Sequence, residues 1–377
     1  MEFSYLNPTH IEFGERKINT ISTHIPKTNR VLFIYGGGSI KKNGVYNQVV
    51  NALNDYIWFE FGGVEPNPTK ETLDKAIALA KKEKIDFILA VGGGSVIDGA
   101  KYIAHSYYYE GDGWDILEGK YISQKALPIG AIVTLAATGS ESNTGSVITK
   151  AQTKEKRFFR SVHSFPKFAV LDPSVLKSLD DRQITNGLVD AFVHTCEQYL
   201  TYKHGMLAQD NYAEGILRGL IQLASTIDKK DDLWYANLLW LANQAFNGLI
   251  ALGVPQDWAT HYIGHELTGL YGIDHARTLA IIQPNLYRVL KEHKTGKLLQ
   301  VGKNVFGIVT NDSDIIIDKI ESFYKSLGIE LKISSYTNDK EIIEKVIPLL
   351  VKHGFSKLGE NQIVDTKIVE KVLQKSI

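Results

Sequence analysis

Residues Asp86–Lys101, DFILAVGGGSVIDGAK, carry the reading that decides the fold. Asp86–Val91 is a near-continuous apolar run, the pattern of a strand buried on both faces. It ends on Gly92-Gly93-Gly94-Ser95, and Val96–His105 then takes helical spacing. Such a turn lets the backbone approach a pyrophosphate, while the helix start offers unpaired N–H groups and a favourable dipole. Gly93, Gly94 and Ser95 are therefore candidate cofactor contacts. Asp98 follows one turn later, near enough to the helix start for a carboxylate to be tolerated. The turn is neither a GxGxxG nor a GxxxxGK[ST] motif, and one glycine run alone is often only a tight turn.

The same pattern occurs upstream. VLFIY-GGGS-I, ending at Gly36-Gly37-Gly38-Ser39, precedes FILAV-GGGS-V by 56 residues. Two such strand ends can lie side by side and face one ligand. Thr134-x-x-x-Thr138-Gly139-Ser140 begins at the end of a third apolar run, Ile129–Leu135. Further strands are expected at Arg30–Tyr35, Tyr56–Phe61 and Phe168–Leu171, with a helix over Thr69–Glu83. Apolar strands alternating with helices imply a parallel, doubly wound sheet. After about Leu179 helical patterns dominate: Arg182–Tyr199, Met206–Ser225, Leu233–Leu249, Trp258–Leu270, His275–Glu292, Ser313–Leu327 and Ile342–Val351. The expected division is an α/β, Rossmann-like dinucleotide-binding domain over 1–179 and an all-helical metal-binding domain over 180–377. No linker separates them, which implies a tight cleft. Phe3, Tyr5 and Ile11–Phe13 form short alternating runs that could make an edge strand shared with a second subunit.

Composition excludes several partners. Lys plus Arg equals Asp plus Glu, 42 each, in 377 residues. A neutral chain lacks the basic surface that nucleic acid or an anionic membrane requires. Cys196 is the sole cysteine, so neither a disulfide framework nor a Cys-rich zinc site can form within the chain. No secretory leader and no run of about 18 apolar residues is present, and the chain reads as soluble and cytoplasmic.

The chemistry concentrates in two segments. Asp190 and His194 are four apart on one helix face, as are His261 and His265; His275 follows beyond Gly269 and Gly272, which can end the helix and turn the chain back. One carboxylate with imidazoles suits Zn²⁺ or Fe²⁺ with a position left for substrate. An Asp–His pair at this spacing can equally be an ion pair, and spacing alone does not say which three histidines would ligate. Cys196 reads as a packed core thiol, and Trp258, Tyr262 and Tyr271 as either pocket lining or core. In the first glycine run no acid is placed to bind a ribose 2′-hydroxyl. Gly37, Gly38 and Ser39, with Lys41 and Lys42 beyond them, could instead receive a 2′-phosphate. Glu60 argues the other way, since it ends the next strand, where a Rossmann fold keeps its ribose-binding acid.

GGGSVIDGAK, TLAATGSESN, LVDAFVHTCEQY, DWATHYIGHELTGLYGIDHARTLAI and HGFSKLGENQ, in that order over nearly the whole chain, resemble the iron-containing (group III) alcohol dehydrogenase family. Its NADPH-dependent butanol dehydrogenases and broad-range aldehyde reductases are the nearest in pattern. The resemblance implies a dehydroquinate synthase-like fold, a homodimer, and a metal ion held by Asp190, His194, His261 and His275. It places His265 beside nicotinamide and substrate. Asn67, Thr134, Thr138 and Lys156 fall at cofactor positions, and the absence of an aspartate near Gly38 favours NADP(H) over NAD(H). The ion in such proteins is iron or zinc.

The expected reaction is hydride transfer from NADPH to a small aldehyde such as butanal, giving a primary alcohol. His265 is the candidate proton relay. A polyol dehydrogenase on the same fold is the alternative, and a non-catalytic nucleotide- or metal-binding protein a more distant one.

Overall fold

The computed structural model describes residues 2–377. The contacts divide the chain into two units. One holds Leu6–Asp180 with Lys230–Asn243; the other holds Asp181–Lys229, Gln244–Ile377 and the described residues before Leu6.

The first unit is built on a six-stranded, wholly parallel sheet. Its strands are β1 (His10–Phe13), β2 (Arg30–Tyr35), β3 (Ile57–Phe61), β4 (Phe87–Gly92), β5 (Ile129–Val133) and β8 (Phe168–Leu171), and an antiparallel hairpin of β6 (Gly145–Lys150) and β7 (Glu155–Arg160) stands apart from it. The sheet order is β1-β8-β5-β4-β2-β3. β2 pairs with β3 on one side and β4 on the other, so the strand order reverses there. Ligands of doubly wound sheets bind beyond the carboxyl ends of strands at such a reversal. Tyr35 lies opposite Val91, which sets the two glycine turns next to each other, as the repeated pattern predicted. β4 is buried along its whole length and β2 in all but its first residue, which accounts for their unbroken apolar sequence. The helix Gly94–Ser106 starts inside the glycine run, two residues earlier than expected, and is buried on nearly every face.

Lys230–Asn243 belongs to this unit although helical patterning continues across it. Asn243 Nδ2 donates to Glu141 Oε1 and Ser142 Oγ at 2.7 Å each, Lys177 pairs with Asp232 at 2.6 Å, and Trp240 packs edge-on against Phe13. The helix it begins, Asp232–Ala245, stops short of the expected Leu249, where Asn247 and Gly248 follow.

The second unit is helical, with Asp181–Tyr199, Leu207–Ser225, Ala259–Tyr271, His275–Val289, Lys291–Asn304, Ser313–Ser326, Ile342–Lys352 and Thr366–Ser376 as its main helices. Two differences from expectation stand out. Lys357–Leu358 pairs antiparallel with Val364–Asp365, a small ladder in an otherwise helical unit. The helix expected over His275–Glu292 ends at Val289, and a new one runs over Lys291–Asn304. The new helix buries Lys294 and Lys297 completely, so its inward face reads as polar in sequence. Among the described residues no helix is long and apolar enough to cross a membrane.

Candidate metal centre and cofactor turn

The two metal-ligand segments converge within the helical unit. Helix Asp181–Tyr199 carries Asp190 and His194 on one face, both buried. Helix Ala259–Tyr271 carries His261 and His265, ends at Gly272, and gives way to the helix opening at His275. Gly264 lets these last two helices approach: a Cβ there would lie 2.9 Å from Thr278 Oγ1 and 3.2 Å from Leu279. Asp274 is held by Arg182 at 2.7 Å and Asn186 at 2.8 Å, which fixes the chain just before His275.

One ligand atom from each of Asp190, His261 and His275 lies within 4.8 Å of the others. Asp190 Oδ1 is 3.8 Å from His275 Nε2, and Asp190 Oδ2 is 3.7 Å from His194 Nδ1. The His194 ring stacks on His261 with centroids 4.7 Å apart. His265 sits at the margin, its ring 5.0 Å from His275 and 6.1 Å from His261. Asp190 Oδ1 and His194 Nδ1 are buried without a hydrogen-bond partner, an arrangement that costs free energy unless something binds them. Burial holds the His194 imidazole down at about 4, so it is neutral near pH 7, the form that ligates metals. A buried carboxylate ringed by imidazoles fits a divalent ion of the zinc or iron type.

Three features of this region escaped the sequence reading. Glu197, three residues past His194 and completely buried, hydrogen-bonds with His261 Nδ1 and accepts from the Thr260 amide at 2.8 Å. Bonding at Nδ1 fixes the ring and leaves Nε2 for a metal, the usual outer partner of a ligating histidine. Behind it, Asp257 donates its amide to the Glu197 carbonyl at 2.8 Å and pairs with the buried Lys294 at 2.7 Å, which also reaches Glu360 at 2.8 Å. Lastly, Phe246 stacks on His194 at 4.7 Å and meets Trp258, one of the expected lining or core residues, at 4.9 Å, while Trp258 lies edge-on to His261 at 5.2 Å. These rings make an aromatic wall beside the ligands. Tyr262 and Tyr271 pack against the apolar core instead, and Cys196 is buried with its thiol pushed well up by burial.

In the sheet unit, the Gly92–Ser95 turn leads into the start of helix Gly94–Ser106. A Cβ at Gly94 would come within 2.4 Å of Thr138 Oγ1, so only glycine lets this turn meet the Thr134–Ser140 segment. Asn67, in the left-handed conformation, donates its amide to Ser95 Oγ at 3.3 Å and accepts from Lys156 Nζ at 2.9 Å. Asn67, Ser95 and Lys156 thus form one cluster. The Asp98 carboxylate points the other way. It is half-buried and accepts from Ser140 Oγ at 2.6 Å and the Val147 amide at 3.0 Å, so it braces the turn from beneath. Lys101, also missed in sequence, lies below it and donates to five oxygens of Ser140, Asn143 and Gly145 at 2.7–3.1 Å.

A cavity of about 450 Å³ opens over the first glycine turn, lined by Tyr35, Gly36, Gly37, Gly38, Lys41, Gly62 and Gly63. Ser39 begins the short helix that follows. Glu60 is not among the residues that line this space. It accepts from Lys41 Nζ and Tyr46 Oη at 2.8 Å each and from Tyr35 Oη.

Comparison with known proteins matches residues 8–173 to the family described as iron-containing alcohol dehydrogenase and residues 184–376 to the C-terminal domain of the Fe-containing alcohol dehydrogenase family. The chain is 45% identical to the NADPH-dependent aldehyde reductase YqhD of Escherichia coli, covering 99% of this chain and 98% of that protein. It is 36% identical to the NADH-dependent butanol dehydrogenase A of Clostridium acetobutylicum, with 100% of both covered. The crystal structure of an NADH-dependent butanol dehydrogenase A from Thermotoga maritima superposes with a TM-score of 0.95 at 37% identity, covering 100% of this chain and 98% of that one.

Proposed function

The chain belongs to the iron-containing alcohol dehydrogenase family, whose chemistry is alcohol and aldehyde oxidoreduction, and we propose that it is an NADPH-dependent reductase of small aldehydes. The observation that carries this reading is the convergence of buried Asp190 and His261 with half-buried His275, with Asp190 Oδ1 buried and without a hydrogen-bond partner. Asp190, His194, His261 and His275 would hold one divalent ion, zinc or iron. When bound, that ion supplies Lewis-acid stabilisation of the charge that develops on the carbonyl oxygen as hydride arrives.

The chain's own residues do the rest. Glu197 keeps His261 Nε2 available for the ion. Phe246 and Trp258 offer an apolar surface suited to a short alkyl chain rather than a polyol. His265, at the edge of the cluster, is the group that passes the proton to the product oxygen, directly or through water. Gly93, Gly94 and Ser95 take the pyrophosphate, with Asn67, Lys156, Thr134 and Thr138 around it. Gly37, Gly38 and Ser39 receive the adenosine ribose, and Lys41 stands at the rim of that cavity to meet a 2′-phosphate. Relatives are named for NADPH and for NADH alike. Support for NADPH comes from the absence of an acid in the Gly36–Ser39 turn and from the engagement of Glu60 by Lys41 and two tyrosines.

The test is steady-state turnover of butanal, and of glycerol or a diol in the oxidative direction, with NADPH/NADP⁺ and NADH/NAD⁺ in parallel. Reduction of butanal preferring NADPH is expected; polyol oxidation without aldehyde reduction would overturn the substrate reading. The edge strand β1 and the exposed Phe3, Tyr5 and Leu6 also support a homodimer, which solution sizing checks.

A further inference from the structure

A second group of metal-ligand type lies on the sheet unit, within one unit and unconnected with the reaction proposed above. β1 is an edge strand, and His10 and Glu12, two apart, share one of its faces. His24, at the end of a short helix, faces them. His10 Nε2 is 3.2 Å and His24 Nε2 3.1 Å from the same oxygen, Glu12 Oε1. One donor atom from each of the three lies within 4.8 Å of the others. A tetrahedral ion with ligands at roughly 2.0–2.1 Å separates its donors by about 3.3 Å. Two of the three donor pairs are thus already spaced as a bound ion would space them.

The group is partly preorganised. The His24 ring stacks on Phe168 with centroids 4.8 Å apart and planes inclined by 23°, and the His10 ring lies 4.8 Å from His24. β1 is fixed by its register with β8, including the His10 amide to the Lys167 carbonyl at 3.1 Å. The side chains of Glu12 and His24 are 17% and 19% exposed and that of His10 59%, which leaves a solvent-side position for water and an entry path. One cation faces the group: Lys17 Nζ, 3.1 Å from Glu12 Oε2. It occupies the other carboxylate oxygen, leaving Oε1 for a monodentate bond, and its charge makes this site weaker than the buried one.

We propose that His10, Glu12 and His24 bind a second divalent transition-metal ion, of the zinc class, on the outer face of β1. Two imidazoles and one carboxylate select such ions over magnesium or calcium. A metal count on this protein would then report two ions per chain, one of them unrelated to turnover.

The experiment uses chelator-stripped full-length protein equilibrated with micromolar Zn²⁺ alone, desalted, and measured for zinc per chain and for butanal turnover. Wild type should hold two equivalents. His10→Ala and, separately, Glu12→Gln should hold one with turnover retained, while Asp190→Asn should hold one with turnover lost. His10 is largely exposed, so His10→Ala tests the site without disturbing the stack on Phe168. Two equivalents persisting in a His10→Ala/His24→Ala double variant would overturn the proposal. So would a single wild-type equivalent that disappears only in Asp190→Asn. A single equivalent lost in His10→Ala but kept in Asp190→Asn would uphold this site and count against the buried centre.

Discussion

Glu197 divides its two oxygens between the His261 ring and the Thr260 amide, and it does so from the face of the helix that also bears Asp190 and His194. Replacing its carboxyl by an amide leaves the ligands in place but loosens one of them. Glu197→Gln should weaken zinc or iron retention about 10- to 100-fold against a competing chelator, with the fold unchanged by circular dichroism. Retention equal to wild type would make Glu197 a packing residue. His265→Gln should lower kcat much more than metal content; loss of the ion with it would make His265 a ligand. Lys41→Ala should raise the KM for NADPH about tenfold and leave that for NADH nearly unchanged, because only NADPH brings a phosphate to that rim. Spacing brought Asp190, His194, His261, His265 and His275 forward as candidates, because an i,i+4 pair on a helix shares a face, but spacing did not say which of the histidines would ligate. Glu197, Lys101 and Lys294 were not legible, because a lone charged residue in a helical pattern reads as solvent-facing until its buried partners are known.

Among the elements, the two strand–glycine–serine turns were the most legible, since a fully buried parallel strand writes itself as an unbroken apolar run. The hairpin β6–β7 was invisible: its strands are only partly buried, and β7 is rich in lysine and arginine. Helix Lys291–Asn304 was hidden by its buried lysines. Asp98 was expected at the cofactor and instead turns inward to Ser140 and Val147, a distinction that position on the helix does not make. The close approach at Gly264 carries a prediction for the helix pair. Gly264→Ala would press a methyl onto Thr278 and Leu279, separating the helices that present His261 and His275. It should cost about 1–3 kcal/mol in denaturant unfolding and reduce bound metal as well. Stability lost with full metal occupancy would show that the two helices do not set the ligand spacing.

At the scale of the molecule, the change of pattern near Leu179 gave the expected division, whereas the contacts also group Lys230–Asn243 with the sheet unit, through side-chain contacts that no periodicity records. Acid stability reports on one buried group there. Burial holds His105 down at about 4, with its Nε2 bonded to Ser164 Oγ at 2.9 Å. The unfolded chain takes up that proton near 6.5, so stability is full above about pH 6.5 and falls as pH drops toward 4. In His105→Gln the loss between pH 7 and pH 5 should shrink by about 2 kcal/mol, read by urea unfolding at the two values. An unchanged difference would assign the acid sensitivity to other groups. The central claim, a metal-dependent NADPH-linked reduction at Asp190, His194, His261 and His275, is tested most directly by one measurement: NADPH consumption with butanal by chelator-stripped protein, before and after adding Zn²⁺ or Fe²⁺. The account predicts little turnover without metal and recovery with one of the two ions. Full turnover in the metal-free protein would contradict it.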